Sequence, residues 1–140
     1  MKGLIVLLFL TVSLVCIIPA QSFGAGNHPY VLEWGEFGIT KDGQFLRPQH
    51  LAADDEDNIY VADTGNAKIQ KFSSDGKFLL SFGVRGVENG EFNSPVGIAI
   101  HENNIYIVDS ELNSIQKFDS DGNFILKWGG EGSEDGKFFS

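Results

Sequence analysis

A segment of this chain occurs twice without gaps, and this internal repeat restricts the possible folds more than any other feature of the sequence. Residues 59–83 and 105–129 are identical at 13 of 25 positions, with a constant offset of 46 residues. Two unrelated strand-rich segments would share far fewer residues. A repeat period in the forties is typical of β-propellers, in which each repeat forms one blade.

Short apolar runs between turn residues predict four strands in each repeat. In the first repeat the predicted strands are residues 51–53, 59–63, 68–72 and 77–82. In the second repeat they are residues 97–100, 105–109, 114–118 and 123–128. Asp75-Gly76 and Asp121-Gly122 are hairpin signals between the last two strands of each repeat. Four antiparallel strands in about 46 residues make one propeller blade, so the predicted fold is all-β.

Partial copies of the repeat flank the two complete ones. Residues 30–35 (YVLEWG) match the ends of both predicted fourth strands, which also finish with an aromatic residue and a glycine. A phenylalanine follows each of these three glycines about ten residues later, at Phe45, Phe92 and Phe138. These positions predict repeats at about 45–83 and 92–129, within a propeller segment that covers residues 26–140.

Two blades are too few to close a propeller ring, which generally has about four to eight. Alone, they would leave apolar faces and strand edges open to solvent. We therefore interpret the chain as the N-terminal fragment of a longer protein whose other blades complete the ring. Self-association of two-blade units is the alternative. In a longer protein, residues 30–34 could supply the outer strand that closes the ring against the last blade.

The loop and third strand of the first repeat resemble the NHL-repeat family. The family pattern is an aspartate that ends a strand, then asparagine, a basic residue, isoleucine, glutamine and phenylalanine, here Asp63, Asn66, Lys68, Ile69, Gln70 and Phe72. The second repeat has Leu112 and Ser114 at the places of Asn66 and Lys68, which predicts a different loop shape. The resemblance implies a ring of about six blades and a scaffold that binds proteins, RNA, peptides or sugars.

Residues 1–25 have the layout of a secretory signal peptide. Lys2 gives a basic start, residues 4–18 form an apolar run, and small or polar residues follow Pro19. The run is shorter than the roughly 20 residues of a membrane-spanning helix, so we predict cleavage and a secreted or cell-surface protein. A retained anchor is the alternative, with the propeller as a sensor domain. Cys16, the only cysteine, lies in this run, so the mature chain would form no disulfide.

The mature chain is strongly acidic. Without Lys2, nine basic residues stand against nineteen acidic ones, which gives a formal net charge of −10. A field of this sign repels phosphate groups, so nucleic acid and anionic membranes are disfavoured as partners. The expected partner is a protein or another extracellular ligand that contacts the loops or the channel.

Four side chains are candidate binding residues. Asp63 and Asp109 end the second strand of each repeat, where a carboxylate can accept N–H groups of the following loop. The alternative is that they contribute to a ring of carboxylates at one face of the propeller. His50 and His101 lie in or next to the predicted inner strands, from which they could face the central channel.

Enzymatic activity is the second functional hypothesis. Some NHL-like enzymes, the peptide-amidating lyases among them, hold a metal ion with channel histidines, so the resemblance allows a metal-dependent lyase or lactone hydrolase. The sequence itself contains no close metal-ligand spacing and no nucleophile motif. The acidic stretches 54–57 and 119–122 could offer oxygen atoms to calcium, but solvated turns are the preferred interpretation. The sequence therefore favours an exported binding scaffold without a zinc or calcium cofactor.

Overall fold

The computed structural model describes residues 31–138, and from residue 32 onward they belong to one compact unit. The predicted signal peptide, with Cys16, and Tyr30 lie outside the described residues. Within residues 31–138, no helix is both long enough and apolar enough to cross a membrane.

The described residues form ten strands and one short helix. A small parallel pair comes first, β1 (Glu36–Phe37) and β2 (Gln44–Phe45). The first blade contains β3 (Pro48–Ala53), β4 (Ile59–Asp63), β5 (Lys68–Phe72) and β6 (Phe78–Phe82). The second blade contains β7 (Pro95–His101), β8 (Asn104–Asp109), β9 (Ser114–Asp119) and β10 (Phe124–Gly129). The helix is a single 3-10 turn, Thr64–Asn66.

Both blades are four-stranded antiparallel sheets in which the strand order follows the chain. The predicted all-β fold with propeller blades is thus confirmed. The second, third and fourth strands agree with the prediction to within one residue, but both inner strands begin three or two residues early, at Pro48 and Pro95. Proline is tolerated as the first residue of a strand, and a register shift follows each of these two prolines.

The hydrophobic core lies between the two blades. The first blade contributes Tyr60, Ala62 and Ile69 to it, and β3 and β4 pack against β7 of the second blade. The second blade contributes its own apolar side chains, together with a phenylalanine from the connecting loop: Phe92, Ile98, Ile105, Ile107 and Phe118. Along β9, buried and partly exposed residues alternate, as expected for a strand with one covered face.

The connections lie at two opposite edges of the blades because successive strands are antiparallel. One edge, which we call the loop face, carries the long loops 35–47, 83–94 and 130–138 and the shorter connections 64–67 and 110–113. The other edge, the turn face, carries the tight turns 54–58, 73–77, 102–103 and 120–123. The Asp75-Gly76 and Asp121-Gly122 turns form as predicted, with Gly76 at φ 83° and Gly122 at φ 81°.

Candidate functional site

Asp109 is buried at the end of β8 and holds two segments of backbone together. Its carboxylate accepts hydrogen bonds from the N–H groups of Asn93 and Ser94, at 2.7 and 3.1 Å, in the long loop that precedes the blade. It also accepts the N–H groups of Glu111 and Leu112, at 3.1 and 3.0 Å, in the loop that follows β8. The second pair of contacts is the backbone capping that the sequence suggested for this position.

Asp63 occupies the same position in the first blade with a different set of partners. One oxygen accepts the N–H of Leu46 at 2.8 Å, and the other accepts the side-chain amides of Asn66 and Gln70, at 2.7 and 2.9 Å. Because Asn66 takes the role that backbone N–H groups have in the second blade, the two loops differ as the sequence predicted. The connection after β4 is a 3-10 turn, whereas residues 110–113 form an ordinary turn.

A glutamine in the third strand of each blade forms hydrogen bonds with the backbone of the preceding long loop. Gln70 is fully buried; its side-chain oxygen accepts the N–H of Gly43 at 3.0 Å, and its amide donates to the carbonyl of Gln44 at 2.7 Å. Gln116 repeats this arrangement with Gly90 and Glu91, at 2.8 and 2.7 Å. Two buried side chains per blade therefore fix the conformation of each long loop.

These contacts define what the two aspartates do in the described structure. Both side chains have zero solvent exposure, and their oxygens are engaged by protein donors. A carboxylate in this state positions backbone instead of presenting a charge to a ligand. Within residues 31–138, neither carboxylate exposes an oxygen that could contribute to a ring of carboxylates at one face. Ligand binding by Asp63 and Asp109 stays a prediction.

His50 and His101 lie at different register positions of the two inner strands. His50 takes the place of Gly97 in the other blade, and its Nδ1 accepts the N–H of Ile98 at 3.3 Å. His101 takes the place of Asp54, four residues further along the strand, which corresponds to about 13 Å at 3.3 Å per residue. Ligand binding by His50 and His101 stays a prediction. Among residues 31–138, no three metal-binding side chains cluster.

The acidic turn 54–58 is organised around Asp54. Its carboxylate accepts the N–H groups of Glu56 and Asn58, at 3.0 and 2.9 Å, and the Asn58 side-chain amide at 3.0 Å. Lys71 lies 3.5 Å from the same carboxylate and 4.9 Å from the centre of the Tyr60 ring. Both carboxylate oxygens of Asp54 are thus engaged by neighbouring protein groups.

The charges at this turn are coupled. Burial opposes ionisation of Asp54, but the hydrogen bonds from Asn58 and Glu56 and the charge of Lys71 outweigh it, so its pKa lies below the ordinary value. For Lys71, burial acts to lower the pKa, but the hydrogen bonds and charges of Tyr60 and Asp54 outweigh burial, so the pKa of Lys71 is raised. Burial raises the pKa of Tyr60, and Lys71 offsets only part of this effect. All three groups keep their usual charge near neutral pH.

The loop face exposes apolar side chains that no packing requirement explains. Ile39 and Val87 occupy equivalent positions in successive long loops and are 66% and 61% exposed. Phe37 and Val84, in the same two loops, are also exposed. The buried aspartates and glutamines hold the second half of the same two loops through the backbone of residues 43–46 and 90–94. Exposed apolar groups arranged in this way often mark interaction sites.

The sequence pattern includes the two glutamines, but it did not indicate that they hold the long loops. It also did not indicate which apolar residues of these loops are exposed. The signal for the glutamines was present, since Gln70 and Gln116 interrupt strands with an alternating apolar pattern and are identical in both copies. The exposed positions gave no such signal, because Ile39 and Val87 are read as ordinary apolar residues until the loop conformation is known.

Comparison with known proteins finds the same architecture. The family DUF5128, described as 6-bladed beta-propeller, matches residues 40–128. Propeller repeats are thereby supported, whereas the finer assignment to the NHL-repeat family stays a prediction.

Two animal proteins share part of this sequence. The "Protein brain tumor" of Drosophila melanogaster is 37% identical over 71 residues, which are 51% of this chain and 7% of that protein. The B-box type zinc finger protein ncl-1 of Caenorhabditis elegans is 43% identical over 49 residues, which are 35% of this chain and 6% of that protein. The chain thus matches only a small part of either relative.

One solved structure has a similar fold. It is a candidate exported protein from Bacteroides fragilis, with a TM-score of 0.55 and 18% sequence identity. The similarity covers 69% of this chain and 28% of that chain. At this level of identity the similarity concerns the fold alone.

Proposed function

Because the chain belongs to the DUF5128 family of 6-bladed beta-propellers, we propose that its two blades are part of an exported six-bladed ring that acts as a binding scaffold. The loop face of this ring contacts the partner. The other blades belong to a longer protein of which this chain is a part. The observation that carries the proposal is the exposure of Ile39 and Val87 at equivalent positions of two long loops that are hydrogen-bonded to buried side chains of the blades.

The physical argument concerns the cost of binding. A loop that is already fixed loses little conformational entropy when a partner binds, so more of the contact energy contributes to affinity. Gln70 and Asp63 fix one long loop, and Gln116 and Asp109 fix the next. The apolar side chains on these loops then supply the area that a protein partner would bury.

Export and partner class have separate support. The predicted signal peptide and the description of the Bacteroides fragilis neighbour as a candidate exported protein agree with an exported location. The charge of −10 that remains without residues 1–25 favours a neutral or basic partner surface over nucleic acid. The metal-dependent enzyme alternative has no supporting observation among residues 31–138.

The test compares two double variants of the protein purified from its own cells. Ile39→Ser with Val87→Ser removes the exposed apolar groups of the loop face. Leu79→Ser with Ile125→Ser removes two exposed apolar groups at equivalent positions of β6 and β10, away from the loops. Cross-linking to proteins of the exported fraction should recover a partner with the wild type and the β-strand variant only. Equal recovery by both variants, or none by the wild type, would contradict the loop-face proposal.

A further inference from the structure

A tight turn in the second long loop contains Asn89-Gly90, the only place in the chain where glycine follows asparagine. The N–H of Glu91 donates to the carbonyl of Glu88 at 3.1 Å and closes the turn. Gly90 has φ 83°, a conformation that favours glycine at the third position of such a turn. Asn89 is exposed to solvent. We call residues 88–91 the Asn-Gly turn.

An exposed asparagine before a glycine has a specific reactivity. The backbone nitrogen of the glycine gives its proton to a base and attacks the carbonyl carbon of the asparagine side chain. A new C–N bond forms, and the side-chain nitrogen takes up a proton and leaves as ammonia. Water then cleaves either C–N bond of the resulting cyclic imide and produces aspartate or isoaspartate. Glycine favours this attack because it has no side chain to obstruct it and because its backbone is flexible.

A buried side chain holds the attacking nitrogen in the folded protein. The N–H of Gly90 donates to Oε1 of Gln116 at 2.8 Å, and Gln116 has zero solvent exposure. The amide of the same glutamine donates to the carbonyl of Glu91 at 2.7 Å. The N–H of Gly90 therefore points into the blade, whereas Asn89 lies at the surface. Attack on the asparagine side chain requires the bond to Gln116 to be released first.

Two other contacts hold the Asn-Gly turn, and both are exposed. Nζ of Lys127 donates to the carbonyl of Val87 at 3.0 Å, and the N–H of Glu88 donates to the side chain of Glu91 at 3.0 Å. Water competes for exposed hydrogen bonds, so their net contribution is small, whereas a buried acceptor that loses its donor is costly. The bond to Gln116 is therefore the main restraint on the attacking nitrogen.

We infer that Asn89 is a deamidation site that Gln116 protects, so that the reaction takes place only when the second long loop separates from the blade. While the Gly90 proton is bonded to a buried acceptor, no base can reach it. The observed rate is then the rate of the open loop multiplied by the fraction of molecules in which the loop is open. The inference does not depend on the partner proposed for the loop face.

The first long loop indicates that the aspartate product fits the turn. Asp42 stands there at the place of Asn89, and the following Gly43 donates to Gln70 at 3.0 Å, as Gly90 does to the second glutamine. Conversion of the asparagine to aspartate should therefore leave the loop in position.

Isoaspartate should have a different effect. It routes the main chain through the side-chain carbon and adds one atom to the backbone, which would move Gly90 away from Gln116. Either product also adds a negative charge close in sequence to Val87 of the loop face. Deamidation would thus change the charge of this loop, and the isoaspartate form would also detach it.

The test follows deamidation of the full chain at mildly alkaline pH, by mass spectrometry of peptides that contain Asn89. Gln116→Ala should accelerate the loss of the asparagine by about tenfold or more, because it removes the buried acceptor of Gly90. Gln70→Ala is the matched control. It removes the equivalent buried bond in the first blade and leaves Gly90 in place, so the rate at Asn89 should stay within about twofold of the wild type.

Two outcomes would overturn the inference. An unchanged rate in Gln116→Ala would show that the hydrogen bond gives no protection, and equal acceleration by both variants would assign the effect to general destabilisation. If circular dichroism shows that Gln116→Ala does not fold, the wild type is compared with a synthetic peptide of residues 86–93. Deamidation in the folded chain should then be slowed about as much as amide exchange at Gly90. Deamidation at the rate of the peptide would refute the protection.

Discussion

Each blade buries one aspartate and one glutamine whose polar atoms are satisfied by the backbone of a long loop. Burying such groups is costly unless their donors and acceptors are paired. The pairing is extensive around Asp109, which receives four backbone N–H groups. At the scale of single residues, these side chains determine where the loops lie.

Asp109→Asn should therefore destabilise the protein. The new amide group would place a donor against backbone N–H donors that now point at a carboxylate, with a loss on the order of 3 kcal/mol. Urea denaturation measures it, and Asp121→Asn in an exposed turn is the control, expected to change stability by less than about 0.5 kcal/mol. Similar losses for both variants would show that Asp109 has no special structural role.

The acidic turn gives a prediction on pH. Because the pKa of Asp54 is depressed in the folded protein, its contribution to stability is present above the unfolded pKa of about 3.9. This contribution is lost as the pH falls through the folded value. Asp54→Asn should thus lower the melting temperature at pH 7, and the difference from the wild type should shrink towards pH 3. Asp55→Asn is the control, and a pH-independent difference for Asp54→Asn would contradict the charge argument.

At the scale of elements, the repeated unit is an outer strand that ends in an aromatic residue and a glycine, and a phenylalanine that returns to cover that glycine. Gly35, Gly83 and Gly129 all have positive φ, and a Cβ atom on any of them would overlap the covering phenylalanine. The aromatic–glycine spacing that was visible in the sequence thus has a steric cause.

Two glycine substitutions separate the backbone strain of a positive φ from the overlap of a Cβ atom with the covering phenylalanine. Gly136→Ala introduces only the strain of a positive φ, since a Cβ there meets nothing within 4 Å, and should cost about 1–2 kcal/mol. Gly83→Ala adds an overlap with Phe92 at 2.4 Å and should cost about 3 kcal/mol or more. Thermal unfolding of both variants provides the comparison. Equal losses would mean that Phe92 moves aside freely.

Trp34 packs on the first blade as Phe82 packs on the second, against Phe72 and Gly76. Trp34→Ala would expose Phe72 and Gly76, and a loss of about 2 kcal/mol is expected for a half-buried tryptophan. Phe37→Ala is the control because Phe37 is highly exposed. Chemical denaturation followed by circular dichroism measures both. A smaller loss of unfolding free energy for Trp34→Ala than for Phe37→Ala would show that Trp34 does not stabilise the first blade.

Much of the fold could be predicted from the sequence because the repeat fixes equivalent positions twice. The second and third strands follow from alternating apolar residues, and the Asp-Gly turns follow from their chemistry. The early starts of the inner strands at Pro48 and Pro95 were missed, since proline argues locally against a strand. The candidate site was harder to predict. The hydrogen bonds of Gln70 and the exposure of Ile39 depend on loops whose paths are set by contacts distant in sequence.

At the scale of the whole molecule, each blade exposes apolar residues whose counterparts in the other blade are buried. Leu51 on the first blade is exposed, while its counterpart Ile98 on the second is buried. Such exposed apolar faces favour association. Membership in a 6-bladed family gives the simplest way to cover them, with Trp34 at one side and Trp128 at the other.

The most direct test of this account is the intact mass of the protein isolated from the exported fraction of its own cells. We expect a mass well above the 15.3 kDa of this chain, with the first residues removed near position 25. This result would agree with two blades as part of a larger exported ring. A mass at or below 15.3 kDa, found as a monomer in solution, would contradict the six-bladed account.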